Sequence, residues 1–209
     1  TAIQSYENIS DAVAYTYQEE GHYFYVLVFS GANTTWVYDI GLKQWHERAY
    51  FNPVSSFYER HRAQCHIFAF NKHLVGDYEN GKIYEQSLSI YDDDGAPKRW
   101  MRTMPHMSGP SLEFVYYKRM QLDMQVGVGL ESGATEDTNP EVMLSWSNDG
   151  GYTWSNEIWR PAGQIGQYTK RLVWFRLGRA RDRVFRFAGT SNTKVFLIGA
   201  YVDAVAGNS

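Results

Sequence analysis

Cysteine is nearly absent from this chain: Cys65 is the single one in 209 residues. No disulfide within the chain can form, and no cysteine-based zinc site. A lone Cys reads as a small buried apolar residue. Its neighbour His66 would point to the opposite face of a strand, which argues against a Cys–His nucleophile. Long hydrophobic runs are missing as well. No stretch approaches the roughly 20 apolar residues of a membrane helix, and no signal-peptide pattern is visible; no membrane partner is expected. Positive charge is not in excess either, since the net charge is −3. That excludes a global attraction to nucleic acid or to an acidic membrane surface. No long helical period occurs.

What is present in quantity is aromatic side chain, 16% of residues, with 16 Tyr, 11 Phe and 7 Trp. Flat rings favour pleated, half-buried surfaces, so this points to strands. Hydrophobic residues at 44% and charged residues at 21% are those of a folded domain. The chain is long enough to bury a core without staples. It reads as one all-β domain over 1–209, β-propeller-like, with four-stranded antiparallel blades. The first residue is Thr1, already inside patterned sequence, so the expectation is the C-terminal part of a longer protein.

The strand pattern starts at once. Residues 12–17, 22–29, 34–39 and 45–48 are β-rich runs separated by polar turns, the rhythm of one blade. The phrase Val37-Tyr38-Asp39 with Trp45 six residues beyond Asp39 resembles a kelch-type blade end. A second unit takes 64–71 and 72–77, then the hairpin signal Asn80-Gly81, then 82–85. A third runs from 107 to 163, with strands at 114–117, 120–128 and 141–146 and a loop over 131–140. The last covers 171–202, with strands at 171–175, 183–187 and 194–200.

The most specific motif is Ser147-Asn148-Asp149-Gly150-Gly151-Tyr152-Thr153-Trp154. Ser147, Asp149, Gly151, Thr153 and Trp154 match the Asp-box pattern, Ser/Thr-x-Asp-x-Gly-x-Thr-Trp/Phe. A turn carboxylate can accept bonds from backbone N–H groups that strands leave unpaired. Gly150 and Gly151 permit positive φ, and the two hydroxyls satisfy nearby backbone groups. Trp154 then folds back as an apolar plug. The reading is of a structural hairpin.

Catalytic patterns are hard to find. None of the six His forms a His-Glu-x-x-His pair, and His61 and His66 are poorly spaced for shared ligation. Asp92-Asp93-Asp94-Gly95 lacks the further ligands of a calcium loop. There is no Gly-x-Ser-x-Gly elbow, and Gly127-Val128-Gly129 is too little for a dinucleotide site. Glu113, Asp123 and Glu131 could supply paired carboxylates, but nothing singles them out. A sialidase would need an arginine cluster, a nucleophilic Tyr and several Asp-boxes; one box is present. No catalytic residue, cofactor or metal is expected.

One segment stands out by charge. Lys170, Arg171, Arg176, Arg179, Arg181, Arg183 and Arg186 face a single acid, Asp182. These could be solvated strand faces whose Arg stems cover aromatic surface. The sharper reading makes Arg176, Arg179, Arg181, Arg183 and Arg186 an interface for acidic protein surface, since the guanidinium fork forms bidentate pairs. Direct contact with DNA phosphates ranks third.

Read together, the phrases 144–157, Gly166-Gln167-Tyr168-Thr169-Lys170-Arg171, Leu177-Gly178-Arg179-Ala180-Arg181-Asp182-Arg183-Val184-Phe185 and Leu197-Ile198-Gly199-Ala200-Tyr201 resemble the end of the packaged-DNA stabilisation proteins of short-tailed phages, the hub or plug proteins of the tail. The likeness is strongest over 141–204. It implies a structural, non-enzymatic virion protein, assembled in the host cytoplasm as a homo-oligomeric ring. Such a protein joins portal and adaptor to other tail and neck proteins and helps retain packaged DNA. The alternative expectation is a carbohydrate-binding or sialidase-like β-propeller, supported by the Asp-box and the abundant Trp and Tyr.

Overall fold

A computed structural model describes residues 2–109 and 112–207. Strands dominate, and they form where aromatic and β-branched residues alternate between short polar turns. Where the sequence reads as one domain over 1–209, the chain divides into two compact units, Thr1–Ala96 and Pro97–Ser209. Each is described by itself.

The first unit opens with a 3₁₀ turn, Ile3–Ser5. Five strands follow in chain order and pair as an antiparallel meander: β1 (Ala12–Glu19), β2 (His22–Phe29), β3 (Thr34–Asp39), β4 (Gln44–Asn52) and β5 (Phe57–Arg60). The first four are at the expected places, while β5 went unread. The β1–β2 hairpin turns on Glu20 and Gly21, both at positive φ, the backbone pair that matches strand twist. Register puts Tyr15 beside Val26, Val26 beside Val37 and Val37 beside His46. One face therefore gathers Tyr17, Val26, Val28 and Val37, all buried.

A second meander, β6 (Ala63–Ala69), β7 (Lys72–Asp77) and β8 (Ile83–Gln86), makes a three-stranded sheet. Asn80-Gly81 lies in the β7–β8 connection. The loop is wider than a two-residue turn, closed by the Asp77 N–H donating to the Lys82 carbonyl at 3.0 Å. The two-residue strands β9 (Asp92–Asp93) and β10 (Ala96–Pro97) pair with each other. The sheets of this unit meet through rings: Tyr15 stacks on His66 at 5.9 Å, and Tyr17 meets His73 edge-on at 5.7 Å. His66 Nε2 and His73 Nδ1 are 3.0 Å apart.

The second unit is built differently. Its strands are β11 (Trp100–Thr103), β12 (Met107–Ser108), β13 (Val115–Met124), β14 (Glu141–Ser147), β15 (Ile158–Pro161), β16 (Leu172–Phe175), β17 (Arg179–Ala180), β18 (Asp182–Gly189) and β19 (Leu197–Ala206). A short helix, α1 (Thr135–Thr138), interrupts the loop expected over 131–140. One sheet has the order β11-β18-β14-β15, with β12 also on β18. In the other, β13 carries β16 and β17 along one edge and β19 along the opposite edge. Inward side chains of both sheets form one core: Met120 and Leu122 from β13, Trp174 from β16, Leu144 from β14, Phe185 and Phe187 from β18. Trp174 Nε1 donates to the Ile158 carbonyl at 2.8 Å, and Arg160 Nε donates to that of Val173 at 3.1 Å, so β15 and β16 are also tied across the layers.

This corrects the propeller expectation for the second unit. Blades are meanders of neighbouring strands, whereas here β18 pairs with β11, β12 and β14. The hairpin rhythm of the sequence was read as sequential pairing, and rhythm alone does not specify partners. No closed ring or barrel forms among the described residues, and no helix of the structure is long and apolar enough to cross a membrane.

The His66–His73 pair makes the first unit sensitive to acid. Burial first, and then the adjacent His73 ring, hold the His66 imidazole below its usual range. The unfolded chain then takes up the proton first, so stability is complete above about pH 6.5 and falls as pH drops below it. Thermal melts followed by circular dichroism should show a lower Tm at pH 5.5 than at pH 7.5. His66→Gln should flatten that dependence; an unchanged slope would remove His66 from the account.

Candidate functional site

The second unit carries both sequence-derived candidates, the 147–154 turn and the arginine segment. The turn leaves the end of β14, where Ser147 is buried. Its hydroxyl donates to Asp149 Oδ1 at 2.6 Å and accepts the Gly151 N–H at 2.8 Å. Asp149 accepts the Thr153 N–H at 2.9 Å and the Thr153 hydroxyl at 2.5 Å. The Ser147 and Thr153 hydroxyls, with the Thr153 N–H, hold this carboxyl well below the usual carboxylate range. Gly150 and Gly151 have φ of 77° and 102°, where a Cβ would strain the chain. Trp154 folds back, its Nε1 donating to the Gly151 carbonyl at 3.0 Å. All five residues of the motif are thus brought together around one loop. The hydrogen bonds described on Asp149 all come from the turn itself.

The arginines separate into three groups. Arg183 is 2% exposed. Its Nε donates to Asn148 Oδ1 at 2.8 Å, its Nη1 to the Leu177 carbonyl and its Nη2 to that of Arg179 at 3.3 Å. The guanidinium sits 4.6 Å from the Tyr117 ring centroid and 5.4 Å from that of Trp146. Burial lowers its pKa, with the Tyr117 hydroxyl opposing. Arg183 therefore takes no part in a surface. Arg186 is half-buried, lying 3.8 Å over the Trp154 ring and donating to Ser145 Oγ at 3.2 Å. Of the five arginines read as an interface, Arg176, Arg179 and Arg181 are exposed. Arg179 and Arg181 both rest on Phe114, at 4.6 and 4.4 Å, while Arg176 stands at φ 59° in the β16–β17 turn.

Sequence reasoning missed two cations that join this exposed group. The register of β13 against β19 shifts between Tyr117 and Arg119. The extra residue breaks the alternation, so Lys118 and Arg119 are both exposed. The Arg176 N–H donates to the Lys118 carbonyl at 3.0 Å, which sets the two segments side by side. The sequence shows this place only as a break of apolar rhythm at Lys118-Arg119, which does not tell a bulge from a turn between two strands. The inward place of Arg183, by contrast, has a signal: it keeps step with Phe185 and Phe187, two core residues on the same face of β18.

Among the described residues, no group of three or more His, Cys, Asp or Glu side chains is placed to hold a metal ion. In comparisons with known proteins, residues 99–205, just over half of the chain, match the family model described as Bacteriophage P22 Gp10, beta-sandwich. No curated protein matches the chain. The matched segment coincides with the two-sheet unit.

Removing the buried guanidinium should be the costliest change at this site. Arg183→Ala leaves two carbonyls and the Asn148 amide without their donor and opens a cavity, a loss of about 3–5 kcal/mol. At roughly 2–4 °C per kcal/mol for a chain this size, the Tm should drop by about 6–20 °C. Arg183→Lys, lacking the planar fork, should recover less than half of the loss. A drop of only a degree or two for the alanine variant would refute the assignment. For the turn, Asp149→Ala should speed hydrogen exchange of the Thr153 and Gly151 amides. In the native chain their protection should fade only well below pH 4, because a depressed carboxylate keeps its contribution until it is protonated.

Proposed function

This chain belongs to the bacteriophage P22 Gp10 family, and from that membership we propose that it serves as a tail hub or neck plug. It is a phage tail structural protein, with the virion as its place and other virion proteins as its partners. In the role proposed, it joins the portal and adaptor to the distal tail components and helps retain packaged DNA. Several copies form a ring, assembled in the host cytoplasm. The work is scaffolding rather than catalysis.

The observation that carries this reading is the coincidence of the family match over 99–205 with a unit built from two packed sheets. The site chemistry is in keeping with it. Asp149 is spent on its own turn, and the turn is fastened to the body by the Arg183–Asn148 bond at 2.8 Å. We assign the motif Ser147, Asp149, Gly151, Thr153 and Trp154 a structural role as an Asp-box hairpin. The chain-order pairing of β1–β5 and of β6–β8 supports reading the first unit as blade-type sheets of a propeller.

Mixing the protein with portal–adaptor complexes tests the proposal. Co-sedimentation and added density below the adaptor in electron micrographs are expected. Absence of association, together with hydrolysis of fluorogenic glycosides, would overturn it in favour of a carbohydrate-active protein.

A further inference from the structure

The outward face of the β13 sheet is composed unlike an ordinary solvent-facing sheet surface, which is polar. Phe175 and Tyr201 are each 60% exposed there. The register places Phe175 beside Arg119, and Tyr201 beside Gln121. Tyr116 and Val205 pair one row further along and are exposed too. Around these apolar side chains stand five exposed cations, Lys118, Arg119, Arg176, Arg179 and Arg181. Among the described residues, none of the five forms an ion pair. The acids on this face are Asp203, cross-strand from Arg119, and Asp123. The patch is therefore positive on a chain whose net charge is −3.

The sign is part of a wider division. Residues 1–96 contain six Lys and Arg against thirteen Asp and Glu, a net −7. Residues 97–209 contain fourteen against ten, a net +4. Five of the exposed cations of the second unit lie where exposed aromatic rings also lie. We propose that this face is a docking surface for an acidic surface of a partner protein. Rings and guanidinium groups are the side chains that dominate protein interfaces, the rings as anchors and the forks as bidentate partners for carboxylates. Arg179 and Arg181 already lie against the Phe114 ring, and Arg179 Nη1 donates to the Tyr116 hydroxyl at 3.2 Å. Their side chains are ordered before a partner arrives, which lowers the entropy lost on binding.

Nucleic acid fits this face less well. A duplex backbone is read by unbroken rows of cations, whereas here Asp203 and Asp123 interrupt the row, and Phe175 and Tyr201 project from the centre. The inference rests on the tail-protein reading only for the setting in which the partner is met. Loss of portal–adaptor association would sink that reading and leave the chemistry of this face intact.

The test uses the full chain and a fluorescein-labelled poly-glutamate 20-mer as probe, read by anisotropy at 50 mM NaCl. Saturable binding is expected, weakened about tenfold or more at 200 mM salt, where surface charges are screened. The double variant Arg179→Glu with Arg181→Glu should weaken it by at least about tenfold, and so should Arg119→Glu, which leaves the Phe114 contacts untouched. Lys43→Glu in the first unit should change it less than about twofold. Melts confirm that each variant is folded. No poly-glutamate binding, or binding indifferent to the arginine variants, overturns the proposal. A 20-bp DNA duplex binding more tightly than the peptide through the same arginines would assign the face to nucleic acid and overturn it as well. Self-association in sedimentation runs that vanishes with Arg119→Glu would do the same in favour of a second copy of this chain.

Discussion

A buried guanidinium that forms no ion pair among the described residues organises the second unit. Removing a charge from water is expensive, and hydrogen bonds from its donors offset that expense. Arg183 spends three of its five N–H donors, one from each nitrogen, on backbone carbonyls and an amide: Leu177 and Arg179 on one side, Asn148 on the other. The rings of Tyr117, Trp146 and Phe185 face it with their π systems. Because the fork is planar and rigid, its bonds can be made together only in one arrangement of the β16–β17 connection, the start of β18 and the 147–154 turn. Lysine in this place would offer a point charge without that constraint.

Several features follow from this one placement. The Leu177 carbonyl that accepts from Arg183 belongs to a residue whose own N–H donates to the Tyr117 carbonyl of β13. The sheet is thereby locked at the bulge where alternation changes step. The turn is fastened from two directions, by Arg183 through Asn148 and by Arg186 stacked on Trp154. Asp149 needs no partner outside the loop, so its carboxylate is fixed by its neighbours. The motif's recorded bonds run within the turn and from the turn to Arg183.

How much of this was legible in the sequence differs by element. The hairpins of the first unit were readable because both signals act locally: alternation over eight residues in β2, and a turn pair that accepts positive φ. The five motif residues of the turn were readable for the same reason. Strand partners were not. That β18 lies between β11 and β14 depends on residues some forty and eighty positions away, and local patterning is silent on such pairings. The segment 114–128 looked like two strands because Lys118-Arg119 breaks its apolar rhythm; the structure keeps one strand and absorbs the break as a bulge. Exposed Phe57 hid β5, since an outward ring gives no sign of a buried face.

The arginine segment shows why a charge cluster in a sequence is not yet a surface. Arg179, Arg181 and Arg183 are spaced by two, and a single strand would turn all three to one side. The chain instead changes strand between Ala180 and Asp182, from β17 to β18. The count restarts there, and Arg183 falls into step with Phe185 and Phe187 on the inward face. The same residue type thus does opposite work within five positions. Inside, each of its three nitrogens donates to the protein, and these bonds hold neighbouring segments together. Outside, on the Phe114 ring, its remaining donors are left for whatever binds. Lys118 and Arg119 reach that outer group only because the bulge exposes two successive side chains. The surface is therefore assembled from segments some sixty residues apart, and its charge is a property of the pairing of β13 with its neighbours rather than of any one stretch of chain.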